Sequence, residues 1–166
     1  MKTKVILSAF AALAIAFTTP AFEVQAQSIG GGPGIAMVGS ANISQLPDKA
    51  KSFIDKHFKD IAVKTCEKYF AKGKYEVELV NGIDLDFNTQ GEVIEIDAPD
   101  NAVLSPTVVK EILPHKAYSR LEQSGYINSI ESIEFKKGKV YEVELKIADP
   151  DTYIFSVDGT FIAIED

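Results

Sequence analysis

The stretch YEVEL stands twice in this chain, at residues 75–79 and again at residues 141–145. In each copy apolar and acidic residues alternate. As a strand it puts Tyr75, Val77 and Leu79 on one face and Glu76 and Glu78 on the other. Tyr141, Val143 and Leu145 oppose Glu142 and Glu144 in the same way. The surroundings repeat too: Phe70-Ala-Lys-Gly-Lys74 answers to Phe135-Lys-Lys-Gly-Lys139 at an offset of 65, YEVEL at 66, and Phe87 with Gly91 to Phe155 with Gly159 at 68. The offset grows only at turns, as duplication of one structural unit requires.

Outward from YEVEL, each copy reads as helix first and strands after. LPDKAKSFIDKHF, residues 46–58, offers Pro47 for a first helical position and Asp48 for the first turn; Ala50, Phe53, Ile54, His57 and Phe58 share one stripe. IAVKTCEKYF, YEVELV, IDLDF and EVIEID follow, separated by AKGK, NG and NTQG, which is the spacing of an antiparallel meander. The second round opens with Ser105 as a cap, Pro106 at the helix start, and Val108, Val109, Ile112 and Leu113 on one face. Pro114 kinks or breaks this helix, and a second helical piece is expected through Tyr118, Leu121 and Glu122 to Gly125. Then come YINSIESIEF, VYEVELK, TYIFSV and TFIAIED. The expectation is an α+β fold of two tandem repeats, residues 46–98 and 99–166. Each is a helix, or in the second a helix pair, packed on one face of about four antiparallel strands.

Alternation assigns Ile83, Leu85, Phe87, Ile94 and Ile96 to the covered face, with Tyr153, Phe155, Ile162 and Ile164 in the second copy. Glu76, Glu78, Asp84, Asp86, Glu95, Glu142 and Glu144 crowd the other face, and Val93, Ile154 and Phe161 share their parity. Two readings stand side by side. The acids keep an open sheet face soluble and discourage edge pairing, or they form a docking surface for a basic protein segment or a cation, with Phe161 supplying an apolar contact among the charges.

Residues 1–26 carry Lys2 and Lys4, an apolar run and then Val24-Gln25-Ala26, the three regions of a secretory signal cleaved after Ala26. Its apolar run is short for a membrane span, and no transmembrane segment is expected in the mature chain. Cleavage leaves 15 basic and 23 acidic residues, a net charge of −8, which repels a nucleic-acid backbone. Localisation is therefore expected to be periplasmic or secreted. Residues 27–45 follow as a flexible leader, with five glycines between Gly30 and Gly39. A phosphate loop is disfavoured there because no Gly-Lys-Ser/Thr ending is present.

Residues for catalysis are few. His57 and His115 are the only histidines, and no HExxH, Gly-x-Ser-x-Gly or Cys-x-x-Cys motif occurs. His57 reads as a packing residue on its helix stripe. Cys66, the single cysteine, has no internal disulfide partner and reads as a small apolar strand residue. Asp97, Asp100, Asp149, Asp151 and Asp158 fall in predicted turns without the spacing of an EF-hand loop. No catalytic residue, cofactor or metal site is expected.

The sequence LPDKAKSFIDKHF, then YEVELVNGIDLDF and QGEVIEID, then a second round from SPTVVKEIL to YEVEL and DGTFIAIED, resembles the PepSY-like, β-lactamase-inhibitor-like secreted proteins of Bacteroides-type bacteria. The resemblance spans residues 46–166. It implies the fold of the β-lactamase inhibitory protein, a binder whose concave sheet grips its target, and the family name implies restraint of peptidases. The chain departs from the pattern at Val93, where an aromatic is usual, and at 148–151, which replaces the Asn81-Gly82 turn. On this reading the protein is an exported, non-enzymatic binding protein with an inhibitory role toward a peptidase or other envelope hydrolase. A small hydrolase or metal-binding protein and an envelope assembly factor are the alternatives.

Overall fold

The computed structural model describes residues 42–136, 138–146 and 151–165. The expected signal, most of the leader and Asp149 lie outside them. A short 3-10 turn, Ile43–Gln45, precedes helix α1, Asp48–Phe58. Strands β1, Val63–Tyr69, β2, Lys74–Leu79, β3, Asp84–Asn88, and β4, Val93–Asp97, come next. Helices α2, Pro106–Ile112, and α3, His115–Gln123, then lead to β5, Ile130–Lys136, β6, Val140–Leu145, β7, Thr152–Ser156, and β8, Phe161–Glu165. The strands form a single antiparallel sheet in sequence order from β1 to β8. The expected α+β class holds, and the two meanders join through β4 and β5.

Residues 42–45 were expected to end the leader but belong to the fold. Asn42 caps the turn by accepting from the Ser44 amide, and Gln45 Nε2 donates to the Cys66 carbonyl at 3.2 Å.

One face of the sheet and the helices share a single apolar core. Tyr75, Val77, Leu79, Leu85 and Phe87 from the first strands join Ile133, Val143, Leu145 and Phe155, with Ala50, Ile54, Val109 and Leu121 from the helices. Phe53 of α1 meets Phe87 edge-on at 6.1 Å between ring centroids. Burying a side chain of this size is worth about 2 kcal/mol, so the core explains how a chain with one free cysteine holds together.

The two halves also agree in their irregularities. Lys64 bulges from β1 and Glu131 from β5. Ile94 bulges from β4 and Ile162 from β8. The β3–β4 turn lies against the start of α1, where a Cβ on Gly91 (φ +79°) would come 2.8 Å from the Ala50 nitrogen. The β7–β8 turn meets the start of α3 in the same way, with a Cβ on Gly159 (φ +80°) 2.9 Å from the Ala117 nitrogen. Ion pairs Lys49–Glu92 at 2.8 Å and Lys116–Asp158 at 2.6 Å clamp these matching corners. Thus α3, opening Leu113-Pro-His-Lys-Ala117, is the counterpart of α1, opening Leu46-Pro-Asp-Lys-Ala50, and α2 is the additional element.

The bulges correct four face assignments. Each adds one residue, which inverts the alternation beyond it. Val93 therefore pairs with Phe87 and packs on the core, and Phe161 pairs with Phe155 likewise. Phe161 does not stand among the acids: its ring meets Phe155 at 5.9 Å, and the Arg120 guanidinium lies 4.0 Å from its centroid. Ile94 and Ile162, expected in the core, are the extra residues themselves, and Ile162 is exposed. Ile154 keeps its assigned face, paired with Glu142.

Candidate functional site

Register alone lines the acids up on the face away from the core. Directly paired across successive strands stand Glu67, Glu76, Asp86, Glu95, Glu134 and Glu142, after which the row continues as Ile154 and Ala163. A second row runs Thr65, Glu78, Asp84, Asp97, Ser132, Glu144, Thr152 and Glu165. Adjacent strands are about 4.8 Å apart, so like charges are opposed along each row and repel unless something neutralises them.

Lysines do so at the sides. Lys74 reaches Glu76 at 2.6 Å and Asp86 at 2.5 Å, Lys136 reaches Glu142 at 2.5 Å and Glu134 at 3.5 Å, and Lys64 reaches Glu78 at 2.5 Å. Burial works against the Lys74 ammonium, but hydrogen bonds to Asp86 and Glu76 outweigh it and hold it firmly protonated. The same hydrogen bond lowers the Glu76 carboxyl. Asp86 is the buried polar residue of the sheet, and Lys74 is its counterion. At the edge, the Tyr69 hydroxyl donates to Glu67 at 2.7 Å, and this bond with the nearby acids pushes the phenol up to about 12.

Among the described residues no lysine or arginine pairs with Glu95, Asp97 or Asp84. Burial, then Asp97 and Asp86, push the Glu95 carboxyl up to about 7. Asp97 is raised by burial and by Asp84, and Asp84 by burial and by Glu78. These groups border a shallow hollow of about 440 Å³ on the open face, shared with Glu67, Glu76 and Asp86. Such a surface favours a cationic group that brings the charge the sheet lacks.

All seven acids chosen from the sequence lie in these two rows, and Phe161 does not. Glu67, Glu134, Asp97 and, at the end of the second row, Glu165 complete the rows and were missed. The first two follow the alternation of their strands, and Asp97 ends β4 and is not a turn residue. His57 packs 4.8 Å from Phe53, its Nε2 2.8 Å from Glu111 Oε2 of α2, while His115 is exposed at the start of α3. Hydrogen bonds from Lys56, then His57, lower the Glu111 carboxyl. Cys66 is half-buried against the core, and burial raises its thiol. Among the described residues no group of three or more His, Cys, Asp or Glu is gathered to hold a metal ion. No helix among them is long and apolar enough to cross a membrane.

The fold and face define a class: a small α+β protein that buries one side of an antiparallel sheet under helices and leaves a carboxylate-lined side open. The chain belongs to the family described as "Putative beta-lactamase-inhibitor-like, PepSY-like", whose model matches it at residues 39–95 and again at 73–163. It is similar to a "putative periplasmic protein of unknown function" from Bacteroides vulgatus, at 29% identity and a TM-score of 0.59, covering 75% of this chain and 95% of that one. A "putative calcium-regulated periplasmic protein" from Bacteroides thetaiotaomicron is similar at 28% identity and a TM-score of 0.59, covering 75% and 94%. No curated protein matches the chain. The periplasmic description of both relatives agrees with the localisation read from the sequence.

Proposed function

We propose that this is an exported, non-enzymatic binding protein that captures a basic segment of another protein on the open face of its sheet. The observation that carries the reading is the unneutralised centre of the carboxylate rows, where Glu95 is held near 7 and Asp84 and Asp97 are also raised. An incoming lysine or arginine stabilises the ionised carboxylates there, and the lysines flanking the rows fix where it docks. Membership of a β-lactamase-inhibitor-like family supports an inhibitory outcome, with a peptidase or other envelope hydrolase as the partner. The two units, 46–98 and 99–166, are in this reading a duplicated scaffold in which the first unit supplies most of the charged surface.

The test uses the exported protein immobilised against an envelope fraction, with hydrolase activity measured before and after its addition. Capture is expected to release at raised salt and to be lost in Asp84→Asn/Glu95→Gln/Asp97→Asn, a variant that removes charge repulsion and keeps the fold. Equal capture by this variant contradicts the face assignment. Calcium serves as a control ion: displacement of the partner by calcium at low ionic strength, beyond the effect of matched sodium, would show that a metal competes for the same carboxylates.

A further inference from the structure

The sheet has two edges, β1 and β8, and they are finished differently. The β1 edge is blunted. Gln45 occupies the Cys66 carbonyl, and Lys64 bulges out of the strand. Both covering groups and edge lysines block pairing with another chain. Among the described residues the β8 edge has neither. Ile162 and Ile164 are 54% and 41% exposed, and Glu165 is the one charged residue of the strand.

The other half of the same sheet shows what such an edge accepts. β4 corresponds to β8 bulge for bulge, and its outer side is filled by β5 through Glu95–Glu134, Ile96–Ile133 and Asp97–Ser132. The corresponding residues Ala163, Ile164 and Glu165 meet no further strand among the described residues. Among the described residues, the pairing position that β5 completes beside β4 is left open beside β8.

We infer that β8 pairs antiparallel with β8 of a second copy, continuing the sheet across a two-fold axis. Charge selects this occupant. Near β8 the open face carries Thr152, Ile154 and Ala163, with Glu165 as its one carboxylate, so two copies meet there with little like charge between them. Their first halves, with Glu76, Asp84, Asp86, Glu95 and Asp97, are carried to the far ends of the joined sheet. A basic peptide gains little beside a strand with one carboxylate, and a β1 edge is already covered. A self-complementary pairing of identical strands closes after two copies.

Sedimentation equilibrium and amide hydrogen exchange of the exported protein test this. A dimer is expected at micromolar concentration, with β8 amides that exchange more slowly as concentration rises. Ile162→Lys/Ile164→Lys is expected to abolish the dimer and the concentration dependence while leaving the unfolding midpoint at dilution unchanged. Ile162→Lys alone, at the exposed bulge, gives the same loss of dimer should the double variant fold poorly. A wild type that stays monomeric overturns the inference, as does a dimer that survives the lysines. Protected β8 amides in a monomer overturn it as well, since another part of the chain then covers the strand.

Discussion

The two halves of the sheet present the same chemistry to the helices and different chemistry to the outside. On the covered side Leu85 and Phe87 of the first half answer to Tyr153 and Phe155 of the second, all buried. On the open side Asp84, Asp86, Glu95 and Asp97 answer to Thr152, Ile154, Ala163 and Glu165. Packing density limits what the covered side tolerates, whereas the open side is constrained only by solubility and partners. The difference there separates a carboxylate-lined first half from a β7–β8 end that carries a single acid, Glu165.

The shared scaffold gives the largest effects. Gly91→Ala and Gly159→Ala each force a Cβ onto a helix backbone at a positive φ, and a loss of about 3 kcal/mol is expected for either. Gly138 has φ +66° but nothing within 4 Å of its added Cβ, so Gly138→Ala should cost only about 1 kcal/mol. Denaturant unfolding of the three variants checks whether the two corners are equivalent. Unequal losses at 91 and 159 would break the correspondence between α1 and α3.

The lysines should separate the halves. Lys74 and Asp86 have side chains 18% and 12% exposed, and Lys74→Ala leaves Asp86 without its counterion, at an expected cost of about 2 kcal/mol. Lys136, at 43% exposed, pairs with Glu142 in more open surroundings, and Lys136→Ala should cost much less. Urea midpoints of the two variants measure the ratio directly.

The stability effect at Glu95 depends on pH. Its carboxyl is raised in the folded chain, so the protonated form is the favoured one. Its contribution to stability is complete below the usual 4.5 and is lost as pH rises toward about 7. Glu95→Gln removes that dependence, and after allowance for solvent screening a gain of about 1 kcal/mol is expected above pH 7. Thermal melts across this pH range check it. The equivalent second-half position, Ala163, carries no titrating group.

The helices, all eight strands and the acidic parity were legible because amphipathic periodicity and turn residues act locally. Union of the meanders into one sheet was not, because pairing of β4 with β5 spans two intervening helices. The faces of Val93 and Phe161 were lost to single bulge residues. A signal for them was present, since the doublets Val93-Ile94 and Phe161-Ile162 interrupt alternation just after a turn. The Leu-Pro-x-Lys-Ala openings at 46 and 113 likewise mark α3 as the partner of α1. Which acids lack a cation could not be read, because it depends on where Lys64, Lys74 and Lys136 reach across strands.

The central claim is that the carboxylate rows, and not the helix side, receive a basic partner. Chemical-shift mapping of the labelled protein titrated with a lysine-rich peptide at low ionic strength tests it most directly. The account predicts shifts centred on Asp84, Glu95 and Asp97, fading toward β7 and β8 and disappearing with salt. Shifts centred on α1, α2 and α3, or no shifts at all, would contradict it.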